Sequence, residues 1–152
     1  MDRDDRMSEL FDDLLRENRP MGQQREVIKP ELGKLPFGVN EAINVLRGNV
    51  QLSGNNIKAV AVTSSLAHEG KSSIAFRLAK SMASLEKRVL YLDGDIRNST
   101  TQVRYNILGD KEGLSEYLCG EAAKEKIIYH TDDPWMDMIF TGAKAPNPSA
   151  LV

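Results

Sequence analysis

The sequence is poor in the features that mark several common protein classes. A single cysteine, Cys119, excludes an intramolecular disulfide framework and fits a reducing compartment. No run of 18 apolar residues exists, which excludes a membrane-spanning helix. The charged start, Met1-Asp2-Arg3-Asp4-Asp5-Arg6, has no apolar stretch behind it and does not read as a secretory signal. Neither charge sign dominates. A net charge of −2 leaves no electrostatic footprint for nucleic acid, so no nucleic-acid partner is expected. Internal repeats and low-complexity segments are also absent. What is present is 152 residues that are 41% hydrophobic, too apolar for a disordered chain and long enough for about one domain with a core.

Met7, Leu10, Phe11, Leu14 and Leu15 recur at helical spacing, so residues 5–16 read as an amphipathic helix. Asp4 or Asp5 is a candidate cap, and acids in a first turn suit the helix dipole. This first segment, 1–17, is expected to pack on its own domain; docking on a partner is the alternative. Residues 18–37 carry Pro20, Gly22, Pro30, Gly33 and Pro36 without a period, and read as a linker or an extended surface arm. The remainder, 38–152, reads as one domain. Val39, Ala42, Ile43, Leu46 and Val50 give a helix over 38–52 with Asn40 as its N-cap.

Ile57 to Val62 is a short, apolar, β-branched run and is expected to be a buried strand. A loop follows to Gly70. Ile74, Leu78, Met82 and Leu85 then form a helical stripe ending near Glu86, and Arg88 to Leu92 is a second buried strand. Strand, loop, helix and strand make one βαβ unit, which implies parallel strands and a right-handed crossover. Residues 93–110 read as a long polar loop with room for a short helical piece. Gly113 to Leu118 reads as a helix ended by Gly120, Ala122 to Ile128 as a helical turn or two, and Trp135 to Phe140 as a third strand.

The chemistry concentrates at Thr63-Ser64-Ser65-Leu66-Ala67-His68-Glu69-Gly70-Lys71-Ser72-Ser73. A loop between a buried strand and a helix is the setting of a phosphate-binding loop. Its inward N–H groups, with the free N–H groups at the start of the helix, form an anion site. Ser65, His68, Glu69, Gly70, Lys71, Ser72 and Ser73 are the candidate nucleotide contacts. Gly70 would permit close backbone approach, Lys71 would meet the β- and γ-phosphates, and the Ser72 hydroxyl would ligate Mg²⁺. The strict pattern G-x-x-x-x-G-K-[ST] wants glycine where Ser65 stands. The bland alternative is a Gly-Lys-Ser that happens to open a helix.

A second element, Val89 to Arg97, places Asp93 and Asp95 just past the end of the next strand. In a parallel sheet that end lies beside the phosphate loop. Acids there can hold Mg²⁺ or take a proton from an attacking hydroxyl. A simple Asp-Gly-Asp turn explains the glycine but not the order of both elements in one unit. Nucleotide binding is therefore expected, with Ser72, Asp93 and Asp95 as the oxygen donors available to Mg²⁺. Elsewhere, His130, Asp132 and Asp133 lack metal spacing and read as a solvated turn, and Cys119 as inert. Tyr91 reads as core. Among Tyr105, Tyr117 and Tyr129, nothing singles out a phosphoacceptor.

From about Leu35 onward the chain resembles the bacterial tyrosine kinases (BY-kinases) of capsule and exopolysaccharide systems. Leu35-Pro36-Phe37, Glu41-Ala42 and Leu46-Arg47 with Asn49 look like the helix that precedes the family's first strand. Thr63-Ser64 through Gly70-Lys71-Ser72 resembles its Walker A loop, and Leu90 to Arg97 its Walker A′ motif. Gly113-Leu114-Ser115, Leu118, Gly120, Thr141-Gly142 and Pro146-Asn147-Pro148-Ser149 resemble the stretch that follows. Partition-type ATPases share the two phosphate motifs but not this ordered set.

The resemblance implies an α/β fold of the phosphate-loop nucleoside triphosphatase type, a parallel sheet flanked by helices and lacking its later strands. It implies an ATP-dependent tyrosine autokinase with ATP and Mg²⁺ as cofactors, Lys71, Asp93 and Asp95 as catalytic residues and Ser72, Asp93 and Asp95 as metal ligands, Asp93 helping to activate the acceptor hydroxyl and Asp95 supporting the Mg²⁺ site. It also implies phosphorylation of a neighbouring subunit, a ring oligomer, and activation by the cytoplasmic end of a membrane polysaccharide co-polymerase. Location would then be cytoplasmic, peripheral to the inner face of the membrane. The chain departs from the pattern in three ways. The family's Glu-x-x-Arg-x-x-Arg reads here as Glu41, Asn44 and Arg47, which lacks the middle arginine. Ala67-His68 stands where Pro-Gly is common. A Walker B strand ending in Asp-x-Pro-Pro, an adenine-binding segment and a tyrosine-rich tail do not appear, so the chain is expected to be truncated after the first half of the kinase domain. The alternative function is a catalytically incomplete nucleotide-binding or interaction module that docks on the co-polymerase or on a full-length kinase.

Overall fold

The computed structural model describes residues 3–15, 26–54 and 56–143. The expectations that rest on Pro20, Gly22 and Pro146 to Ser149 lie outside the described residues. Among the described residues four strands, β1 (Val27–Ile28), β2 (Val89–Leu92), β3 (Ile128–Thr131) and β4 (Met136–Ile139), form one sheet in the order β1-β3-β4-β2. The β1·β3 and β2·β4 pairs are parallel, and β3·β4 is an antiparallel hairpin with Tyr129 opposite Met138. The sheet is therefore mixed, parallel in two of its three pairings.

Among the described residues six helices flank it: α1 (Arg3–Leu15), α2 (Phe37–Leu52), α3 (Lys71–Ala83), α4 (Thr101–Arg104), α5 (Leu114–Cys119) and α6 (Lys124–Ile127). Side chains alternate across a strand, so β2, β3 and β4 each feed two cores. On one face, Ile139, with Leu90 and Leu92, meets Leu10, Leu114, Leu118 and Ile127 from α1, α5 and α6. On the other, Tyr91, Met136, Met138 and Phe140 meet Phe76, Ala79 and Ala83 of α3. Phe76 stacks on Tyr105 at 4.0 Å and meets Tyr91 edge-on at 5.2 Å, which pins α3 over β2.

Helix α1 packs on its own domain, as expected. Leu10 is fully buried, Tyr117 Oη donates to the Arg6 carbonyl at 2.9 Å, and Lys124 pairs with Asp13. The helix starts at Arg3, so Asp4 and Asp5 lie in its first turn and serve the dipole rather than the cap.

Several expectations need correction. The extended arm before α2 contributes strand β1, whose Ile28 is buried. Pro36, not Asn40, is the N-cap of α2, because a proline with φ −54° leads directly into the helix and puts Asn40 inside the first turn. The solvated turn expected at His130 is part of β3. His130 stands opposite Asp137, and its Nδ1 lies 2.6 Å from the Asp137 carboxylate.

The largest departure is Ile57 to Val62. It joins no ladder among the described residues, and Ile57 and Val60 are 44% and 51% exposed. A buried strand needs hydrogen-bonded neighbours, and none of the four strands pairs with this run. The parallel partner of β2 is β4, reached through α4, α5, α6 and β3, and β2 keeps one edge unpaired among the described residues.

Candidate active site

The site forms where the start of α3 meets the end of β2. Gly70 precedes α3 with φ +90°, a left-handed conformation that glycine adopts without a Cβ penalty, and its carbonyl accepts the Ile74 N–H at 3.0 Å. Open space surrounds the position a Cβ would take, so backbone conformation rather than crowding calls for glycine here. The preceding loop is exposed and closed by its own side chains. Ser64 Oγ donates to the Leu66 carbonyl at 2.8 Å, and the Glu69 carboxylate accepts the Leu66 N–H at 3.1 Å. His68 sits at φ +66°. Ser65, His68 and Glu69 are thus on the open loop, whereas Lys71, Ser72 and Ser73 occupy the first turn of the helix.

At the end of β2 the ladder runs one bond further, from the Asp93 N–H to the Ile139 carbonyl at 2.9 Å. Asp93 is 4% exposed. Its Oδ1 accepts the Asp95 N–H at 3.1 Å and its Oδ2 the Ser99 hydroxyl at 2.5 Å. Asp95 points outward. Its Oδ2 lies 3.2 Å from Lys71 Nζ, and its Oδ1 accepts the Asn98 N–H at 3.1 Å. Partial burial pushes the Asp95 carboxyl up, but the Asn98 N–H, the Lys71 ammonium and the Arg97 N–H outweigh it and leave the group below its ordinary value.

A cavity of about 160 Å³ opens beside Asp95, lined among others by Ser99, Gln102, Thr141 and Gly142. Arg104 Nη1 donates to Ser73 Oγ at 2.6 Å and so ties α4 to the first turn of α3. Sequence reasoning missed Ser99 and Arg104. A serine or an arginine in a polar loop carries no periodic signal, and only the fold of residues 93–104 brings them here.

The oxygen donors Ser72 and Asp95 suit a hard cation such as Mg²⁺, which keeps waters and phosphate oxygens as further ligands, whereas both Asp93 oxygens are already taken by the Asp95 N–H and the Ser99 hydroxyl. Among the described residues no group of three or more His, Cys, Asp or Glu side chains is placed to hold a metal ion.

A helix-initial Gly-Lys-Ser, a strand ending in a buried and an outward acid, and a lysine–carboxylate contact between them define an α/β protein of the phosphate-loop class. No family model matches the chain. It is 38% identical over 112 residues to tyrosine-protein kinase CpsD of Streptococcus agalactiae, covering 74% of this chain and 49% of that protein. It is 30% identical over 141 residues to tyrosine-protein kinase YwqD of Bacillus subtilis, covering 91% and 58%. Its fold superimposes on the BceF tyrosine kinase domain with a TM-score of 0.65 at 32% identity, over 74% of this chain and 45% of that one. The kinase domain of Escherichia coli tyrosine kinase ETK shares the fold at 24% identity, with a TM-score of 0.64 over 89% and 54%. By sequence and by fold the chain is similar to tyrosine kinases of bacteria, and it spans about half the length of the curated relatives it matches.

Proposed function

We propose that this chain is the nucleotide-binding portion of an ATP-dependent protein-tyrosine autokinase that regulates capsular or exopolysaccharide synthesis and export. The carrying observation is the 3.2 Å contact between Lys71, at the head of α3, and Asp95, beyond the end of β2. The names of the relatives, all tyrosine kinases, support the same reading.

Lys71 would turn from Asp95 to the β- and γ-phosphates of ATP, joined by the N–H groups of the loop and of the first turn of α3. Ser72 and Asp95 would hold Mg²⁺, which neutralises phosphate charge. Asp93, held by two protein donors, would orient this pair and stand behind the acceptor hydroxyl. Catalysis then rests mainly on positioning and charge neutralisation.

The tyrosines of the chain bear on the acceptor. Tyr91, Tyr105 and Tyr117 are buried, which supports acceptors on another segment or a neighbouring subunit. The proposed partners are accordingly a second copy of the kinase and the cytoplasmic end of a membrane polysaccharide co-polymerase. The proposed location is cytoplasmic, peripheral to the membrane's inner face. No helix among the described residues is long and apolar enough to cross a membrane.

The test is Lys71→Met. In the complete protein it should abolish phosphotyrosine, and in this chain it should remove stabilisation by Mg-ADP. Stabilisation should reach about 2.7 kcal/mol at 100 times Kd. Phosphotyrosine that persists in Lys71→Met would sink the reading.

The Ile57–Val62 run and the β2 edge, both unpaired among the described residues, favour a second reading, a non-catalytic module that docks on the co-polymerase or on a full-length kinase. Stabilisation by such a partner but not by Mg-ADP would select it.

A further inference from the structure

Asp93 is the most enclosed acid of the site, and both of its carboxylate oxygens are engaged. The Thr101 N–H donates to Ser99 Oγ at 3.2 Å, and Thr101 itself is 2% exposed. With that lone pair taken, the Ser99 proton is aimed at Asp93 Oδ2, 2.5 Å away. Asp93 in turn accepts the backbone N–H of Asp95, whose carboxylate meets Lys71. Ser99 lines the cavity beside Asp95, and Asp93 does not.

We propose that Ser99 is a positioning residue of the nucleotide site: its hydroxyl fixes the Asp93 carboxylate, and Asp93 fixes the loop that presents Asp95 to Lys71 and to a nucleotide-bound cation. The proposal rests on the nucleotide-binding reading above. Its physical basis is the cost of leaving a buried carboxylate oxygen without a donor. Without the Ser99 hydroxyl, Asp93 must rotate to find another donor, and rotation gives up the Asp95 N–H. Asp95 then loses the backbone geometry that aims it at Lys71. Asp93 acts from behind, and Asp95 presents the outward carboxylate.

The test is calorimetric titration of this chain with ADP, once with Mg²⁺ and once with EDTA. Ser99→Ala should lose about tenfold or more of the affinity gained from Mg²⁺, with ADP binding in EDTA unchanged. Ser99→Thr, which keeps the hydroxyl, should restore the gain, and Ser99→Cys, a weaker donor, should fall between. Equal losses in both arms mark a general packing role and overturn the proposal. So does a folded Ser99→Ala or Ser99→Cys that keeps the full Mg²⁺ gain. Lys71→Met separates the two readings. If it loses ADP while Ser99→Ala keeps the full gain, only the Ser99 proposal falls. If it binds ADP like the parent chain, the nucleotide reading falls and takes the Ser99 proposal with it.

Discussion

Lys71 Nζ stands 3.2 Å from Asp95 Oδ2, joining the helix that follows the phosphate loop to the loop that follows β2, with both side chains partly open to solvent. The pair makes a pH prediction. Asp95 has a lowered folded value, so its contribution to stability is fully present above the ordinary carboxyl value of 3.8. That contribution fades as pH falls through the lowered folded value. A carbon-detected NMR titration should find Asp95 ionising below 3.8. In Lys71→Met, which removes two of the lowering influences, the midpoint should move upward.

Arg47 of α2 donates through Nη1 to the Ser81 carbonyl at 3.1 Å and to Ser81 Oγ at 2.9 Å, while Ser81 Oγ donates to Asn44 at 3.3 Å. Asn44 and Arg47 therefore serve the α2·α3 contact within one chain. Arg47→Ala should cost about 1–3 kcal/mol in urea denaturation, and Arg47→Lys, which loses the planar fork, should recover only part of it.

Tyr91, Tyr105 and Tyr117 are at most 6% exposed. Phosphotyrosine mapping of the native complete protein should leave these three unmodified. Burial, then the carboxylates of Glu112, Glu26 and Glu116, pushes the Tyr129 hydroxyl up to about 12. A tyrosine raised in the folded state supports stability below its ordinary value of 10.0, and this support is lost as pH rises toward about 12. Absorbance titration of a variant that keeps only Tyr129 should show that midpoint.

Gly113 is an extended residue whose added Cβ would lie 2.3 Å from the Phe140 oxygen and 2.3 Å from the Gly142 nitrogen. Both neighbours are backbone and cannot swing away. Gly113→Ala should destabilise by about 1–3 kcal/mol or more, and it should disturb the Leu114 N–H bond to the Phe140 carbonyl that docks α5 on the sheet end. Hydrogen exchange at Leu114 is the direct readout.

Leu10 anchors α1 between α5 and α6 with no exposed surface. Leu10→Ala should cost about 2–5 kcal/mol in chemical denaturation. A loss below about 0.5 kcal/mol, the size of an ordinary surface substitution, would mean that α1 does not pack on the domain in solution.

The amphipathic stripes of α1, α2 and α3, the apolar run of β2 and the glycines that bracket α5 were legible because each is a local pattern. Period, cap and breaker act within a few residues, and the structure keeps them to within about a turn. The Gly70-Lys71-Ser72 helix start and the two acids after β2 were legible for the same reason.

Non-local pairing decided the rest. A two-residue strand such as Val27–Ile28 has no period to read and exists only because β3 offers it an edge. His130 looked like part of a polar turn, yet the β3·β4 hairpin places it opposite Asp137. Ile57 to Val62 has the composition of a buried strand and lies exposed, because composition supplies the apolar surface but not the neighbouring backbone that a strand must pair with. The sequence by itself determined that a phosphate-loop helix start and an acidic strand end occur in one α/β chain. The tertiary structure alone decided that Asp93 is enclosed with Ser99 while Asp95 faces Lys71, because burial and hydrogen-bond partnership depend on what the rest of the chain brings to each carboxylate.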